Sequence, residues 1–377
     1  MTTLIDRFKL PPFRNGAALL NLTLATLQHK DTWASTKLCI TFGEGARTLN
    51  PMFRVSHAGA KGFGVFATRQ IARGTRILAE RPLLTITNKD SSILAAASRL
   101  SLQDLHSLLS LSMNGAKRNS LTRLAAAAWG SLRSLTSVTR NRDILNIFYN
   151  NNFLLAGSSG KRAIFLTVAR LNHSCVPNAQ GNVNTALPGS QFTIHALRDI
   201  ADGEEITISY LHDELAMRTE RQKRLNEDYG FECACDICST DASGVKTRES
   251  DQRRLKVQEM LAAFSEQQES PGGTSRELTL TRALIETYEQ EGLSGRELAS
   301  LYFAAAGLAI NVGHDKEALA LGAKGLQIEE EAVGLDSPLY LASLSAVKQG
   351  HFGGKKWTKH TPNPSIEPAG LSYEPWI

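Results

Sequence analysis

The sequence predicts an α+β protein: an irregular β domain interrupted by a helical insert, followed by an all-α lobe. Three observations carry that reading. Short apolar runs punctuated by glycine fill residues 53–87, and strand-like runs return in "QFTIHAL" and "EEITISY". Between them, residues 91–148 switch to helical spacing, with Leu100, Leu102, Leu105, Leu108 and Leu109 on one side. Beyond Gly273 the pattern is helical almost throughout.

Taken in order, residues 1–50 form a leader without clear periodicity. It lacks the compact apolar core and small-residue cleavage site of a secretory signal, and Pro11 and Pro12 break the amphipathic helix of a mitochondrial transit peptide. Residues 51–211 form the β domain, with alternation in "TRILAE" and "LLTIT" and the helical insert at about 91–148. Residues 212–240 run as a helix, to Tyr229, into a cysteine-rich loop. The polar stretch 241–273, with Pro271-Gly272-Gly273, reads as a linker. In the lobe at 274–350, Ala and Gly recur where two helices of a hairpin must approach closely, which resembles a degenerate tetratricopeptide unit. Residues 351–377 form a loosely specified tail.

Composition bounds the function. With 42% hydrophobic and 21% charged residues in 377, the chain is of the soluble globular class and can bury two cores. Its longest apolar runs, such as Leu124 to Trp129, are too short to cross a bilayer. The net charge of +5 is unevenly placed: between Asp104 and Asp199 the only acid is Asp143, among ten Lys and Arg residues. Such a surface suits acidic partners, but no nucleic-acid motif lies beside it.

The five cysteines are Cys39, Cys175 and a cluster at Cys233, Cys235 and Cys238. A disulfide framework would spread them along the chain. Their crowding suits thiolate ligands to zinc in a reducing compartment instead, leaving Cys39 and Cys175 as candidates for the fourth ligand. Cys175 lies in "ARLNHSCVPNA", where a His173–Cys175 nucleophile pair is the rival reading. At i and i+2 on a turn those side chains tend to diverge, and no orienting acid lies nearby. Lys61-Gly62-Phe63-Gly64 is a turn whose glycines permit close backbone approach to a ligand. In "DGEEITISY", Ile206, Ile208 and Tyr210 share one face of a strand that ends at the tyrosine.

In this order the four motifs resemble the SET-domain protein methyltransferases over about residues 53–240. The layout is similar to the SET-and-MYND branch with a tetratricopeptide-like lobe, reduced as in some fungal-type SET proteins, since five cysteines cannot supply a MYND finger. The resemblance implies a SET β fold with a pseudoknot and a zinc-bound post-SET loop. It implies Cys175, Cys233, Cys235 and Cys238 as zinc ligands. It implies S-adenosylmethionine as cofactor, held by Lys61, Gly62, Phe63, Gly64, Asn151, Asn172, His173, Tyr210 and Phe231. Tyr210 and Tyr229 are the implied catalytic residues, and a lysine side chain of a protein, histone or other, is the implied substrate. A catalytically weak scaffold that recruits partners is the alternative. The expected compartment is nucleus, cytoplasm or both, with no membrane partner.

Overall fold

In the computed structural model, residues 51–356 are described, apart from 88–89, 115–120, 135–136, 156–160, 212, 240–243, 267–272 and 353–354. The expected leader, most of the tail, and Cys39 lie outside the described residues.

Three small sheets build the β domain. The first has the order β1-β2-β10-β7, from Phe53–His57, Phe63–Ala67, Glu205–Ile208 and Asn172–His173. The second, β3-β9-β8, joins Arg76–Glu80, Gln191–Ala196 and Ala179–Asn184. The third, β4-β6-β5, joins Leu84–Thr87, Lys161–Ile164 and Asn152–Leu154. Strand β10 buries Ile206 and Ile208 on one face, as its alternation predicts. Strand β9, paired on both edges, is buried from Phe192 to Ala196 and so reads as a nearly continuous apolar run. Phe153, Phe165 and Phe192 close the core between sheets, with ring centroids 4.8–6.0 Å apart.

Strand β7 runs parallel to β10, pairing Asn172 with Thr207 and His173 with Ile208. The chain then turns so that Asn178 accepts from the Thr207 amide at 2.8 Å and donates to the Glu205 carbonyl at 2.9 Å. That contact, between segments far apart in sequence, is the one the pseudoknot expectation requires.

The insert consists of helices α1 (Asp90–Ala97), α2 (Leu102–Leu109), α3 (Leu121–Ser134) and α4 (Val138–Asn151). Ile93, Leu108, Leu145, Ile147 and Phe148 pack with Leu84, Ile86 and Ile164 of the third sheet. Ser101 caps α2 by accepting from the Asp104 amide at 3.0 Å.

After α5 (Arg218–Tyr229) the structure departs from the expected linker: α6, Val245–Glu266, is a helix of 22 residues. Its buried stripe is Thr247, Ser250, Arg254 and Val257, at helical spacing but mostly polar, so apolar periodicity could not announce it. Helices α7 (Gly273–Gln290), α8 (Arg296–Asn311), α9 (Asp315–Val333) and α10 (Pro338–Lys348) complete an all-α lobe. Ala299, Ala305, Ala306 and Ala309 are fully buried along α8, the close approach that the small residues foretell. The lobe meets the β domain through polar contacts: Arg73 to Glu331 at 2.5 Å, Arg76 to Asp336, and the Gln180 side chain to the Arg296 amide at 2.9 Å. No described helix is long and apolar enough to cross a membrane.

Candidate active site

The site is assembled where β2, β7 and β10 lie side by side. Gly64, in β2, approaches so closely that a Cβ there would sit 2.7 Å from Glu205 Oε1 and 3.0 Å from Asn172 Nδ2. Only glycine fits. Asn172 Nδ2 donates to Glu205 Oε1 at 2.7 Å and to the Phe63 carbonyl at 3.1 Å, while Lys61 Nζ pairs with Glu205 Oε2 at 2.7 Å. The Lys61–Gly64 turn, Asn172 and Glu205 are thereby one hydrogen-bonded unit. Phe63 projects outward, 54% exposed, with the Arg170 guanidinium 5.1 Å from its ring centroid.

His173 is buried, and both ring nitrogens are committed to the protein. Nδ1 accepts from the Tyr210 amide at 3.0 Å, which leaves Nε2 as the protonated nitrogen of the neutral ring, 3.3 Å from Cys175 Sγ. Burial pulls its pKa down to about 4, so the ring is neutral near pH 7. It ties the tyrosine strand to the cysteine cluster, and no ring nitrogen is left for a ligand.

Tyr210 lies two residues beyond the end of β10. Its hydroxyl donates to the Leu171 carbonyl at 2.6 Å, and its ring lies 4.9 Å from Tyr229, 5.4 Å from His173 and 6.3 Å from Phe231. Burial, with Tyr229 and Glu205 nearby, raises the Tyr210 pKa well above the usual phenol range. Burial and Asp228 raise that of Tyr229 as well. Both are neutral hydroxyls, suited to orienting a group rather than to abstracting a proton.

Asn151 stands apart from this unit. Its amide donates to the Ile147 carbonyl at 2.7 Å and the Ser112 carbonyl at 2.8 Å, and it makes no hydrogen bond to Asn172 or Tyr210. Glu205 and Asn178 are site-building residues that the motif reading left without roles, although both lie inside the quoted motifs. A carboxylate beside a glycine turn and an asparagine carries no chemical signature until their contact is seen.

The four cysteines meet. The Sγ atoms of Cys175, Cys233, Cys235 and Cys238 all lie within 4.8 Å of one another, with Cys175 3.9 Å from Cys233 and 3.6 Å from Cys238. Those separations are too long for disulfides and match the roughly 3.8 Å edge of a tetrahedron built on Zn–S bonds of about 2.3 Å. Soft thiolates and closed four-fold geometry fit zinc. Gln222 fixes the loop by two bonds to the Cys233 backbone, at 2.7 and 2.8 Å. Arg221, buried, places Nη2 3.5 Å from Cys238 Sγ, a positive charge that opposes the thiolates.

Comparison with known proteins agrees with this geometry. Residues 62–211 match the family model of the SET domain. That stretch is a SET domain. The chain resembles the Set5 and SMYD branch: it is 32% identical over 206 residues to histone-lysine N-methyltransferase set5 of Schizosaccharomyces pombe, covering 55% of this chain and 56% of that one. It is 38% identical to human histone-lysine N-methyltransferase SMYD3, over 27% of this chain and 23% of that one. With mouse protein-lysine N-trimethyltransferase SMYD5 the identity is 43%, over 24% and 21%. The matched stretches thus span little more than half of the fission-yeast relative and less than a quarter of the other two.

Proposed function

We propose that this protein transfers the methyl group of S-adenosylmethionine to the amine of a lysine side chain in a protein substrate, with histones as one acceptor class. The single observation that carries the reading is the Tyr210 hydroxyl, held at 2.6 Å by the Leu171 carbonyl among three aromatic or imidazole rings. The names of the relatives support the reaction class, and the names of set5 and SMYD3 support histones among the acceptors. Action in nucleus, cytoplasm or both belongs to the same proposal.

When bound, the cofactor would supply a methyl group on an electrophilic sulfonium. The unit of Lys61, Gly62, Phe63, Gly64 and Asn172 would hold it, with Glu205 bracing that unit through both carboxylate oxygens. Tyr210, donating to Leu171, keeps its oxygen lone pairs for an N–H of the acceptor amine. That contact would orient the acceptor amine and leave its own lone pair free for the transfer. Tyr229 and Phe231 wall the approach, and desolvation between such rings lowers a lysine pKa and favours the neutral amine. No strong base is needed, and alignment supplies most of the catalysis. Zinc would hold the loop bearing Phe231 against the segment bearing Asn172, without touching the reacting atoms.

The test uses the purified full chain. S-adenosylmethionine should raise its melting temperature, and labelled cofactor should mark lysines of lysate proteins or core histones. A protein that neither binds the cofactor nor labels any lysine would be the recruiting scaffold instead.

A further inference from the structure

The helical insert reaches the site through a five-residue strap, Ser110–Asn114, that follows α2. The strap touches three segments that carry site residues. Ser110 Oγ accepts from Arg170 Nη2 at 2.7 Å, two residues before Asn172. The Ser112 carbonyl accepts from Asn151 Nδ2 at 2.8 Å, and Ser112 Oγ accepts from Asn150 Nδ2 at 3.2 Å. Asn114 Nδ2 donates to the Asp228 carbonyl at 3.1 Å. Leu111, 4% exposed, pins the middle of the strap in the core of the insert.

The last contact is the informative one. Carbonyls in the final turn of a helix lack intrahelical partners, and Asp228 lies in the final turn of α5. A side chain from another element therefore satisfies this helix end. Gly230 closes the helix in the left-handed conformation, with φ at +80°, and its amide bonds back to the Asn226 carbonyl at 2.9 Å. A Cβ on Gly230 would sit 2.8 Å from Asn114 Oδ1. Asn114 thus seats on the glycine itself, and it is 3% exposed. On either side of that glycine stand Tyr229 and Phe231, whose rings lie 4.9 and 6.3 Å from Tyr210.

We infer that Asn114 is a positioning residue for the acceptor-lysine channel: it fixes the end of α5, and through Gly230 it sets where Tyr229 and Phe231 stand relative to Tyr210. This rests on the proposed methyl-transfer reading. It assigns the helical insert a part in catalysis, since the insert supplies the latch on one wall of the channel while the cysteine cluster holds the loop beyond. Displacing that wall changes alignment of the amine, whereas the glycine turn and Asn172 keep their own contacts.

The experiment compares wild type with Asn114→Ala and with the nearly isosteric Asn114→Asp, which keeps the shape and removes the donor. All three are full-length and metal-replete, with core histones as acceptor. Both variants should keep cofactor affinity within about twofold, while kcat falls by about tenfold or more with little change in KM for the acceptor. Hydrogen exchange in the peptide covering 228–232 should accelerate in both, while strand β9 stays as protected as in wild type. Wild-type kcat, or unaltered exchange at 228–232, overturns the inference. If Asn114→Ala does not fold, Asn114→Asp decides, and unfolding of both variants overturns it in favour of a plain folding role. If wild type itself transfers no methyl group to any acceptor, the functional reading fails, and the exchange comparison alone decides whether Asn114 positions the helix end.

Discussion

Arg254 and Glu291 form an ion pair at 2.9 Å with both side chains 0% exposed, joining α6 to the turn after α7. Ser250 Oγ donates to the same carboxylate at 2.6 Å, and Arg253 reaches its other oxygen at 2.6 Å. Arg254 Nη1 also donates to the Glu214 carbonyl, so the pair ties the helical lobe to the segment just beyond Tyr210.

Removing one partner of a buried pair strands the other. Glu291→Gln should therefore destabilise the protein by about 3–5 kcal/mol, read as a lower urea midpoint. Burial alone would raise the Glu291 pKa, but the Ser250 hydrogen bond and the Arg254 and Arg253 charges outweigh it and hold the value below 4.5. A depressed folded-state pKa gives stability that is present above the unfolded value and lost as pH falls through the folded one. Wild type should thus lose this contribution below pH 4.5, and the acid limb of a stability profile should be shallower in Glu291→Gln. Parallel acid limbs would remove Glu291 from the acid response.

Tyr210→Phe should lower turnover severely while cofactor affinity stays within about twofold, if the hydroxyl orients the acceptor amine as proposed. The variant also gives up the bond to Leu171, so the unfolding free energy should drop by about 1 kcal/mol. Single-turnover kinetics together with calorimetry separate the two effects. Wild-type turnover would take Tyr210 out of the mechanism.

Asn172→Ala strips a donor from both Glu205 and the Phe63 carbonyl. S-adenosylmethionine binding should weaken by on the order of 1–3 kcal/mol. Isothermal titration would read this directly, and unchanged affinity would place the cofactor elsewhere.

Purified protein should carry about one zinc per chain, as a closed four-thiolate site requires. Cys175→Ser should lose most of it, because serine is a poor zinc ligand, and methyl transfer should fall as the loop bearing Phe231 loosens. Cys39→Ser should change neither. Full zinc in Cys175→Ser, by elemental analysis, would exclude Cys175 as a ligand.

Much of the site was legible because its residues are chemically conspicuous. Cys233, Cys235 and Cys238 advertise a metal by spacing alone, whereas Cys175 joined them only through resemblance, since 58 residues separate it from Cys233. Strand β10 was readable from the alternation of Ile206 and Ile208. Helix α6 was not, because its buried stripe of Thr247, Ser250 and Arg254 looks like solvent-facing sequence until Glu291 is seen opposite. Glu205 escaped for a related reason: its role lies in two contacts made across the fold, to Lys61 and Asn172. His173 was expected at the cofactor, but its ring bonds to the Tyr210 amide and Cys175, a geometry that no local pattern encodes.

The spread of the sulfur ligands along the chain also sets an order of events during synthesis. Cys175 and Cys238 lie 63 residues apart, so a growing polypeptide cannot complete the tetrahedron until residue 238 has cleared the ribosome. Metal capture would then follow synthesis of the whole β domain, residues 51–211. A nascent chain stalled before Cys233 would present Cys175 without its three cluster partners, as a thiol open to oxidation.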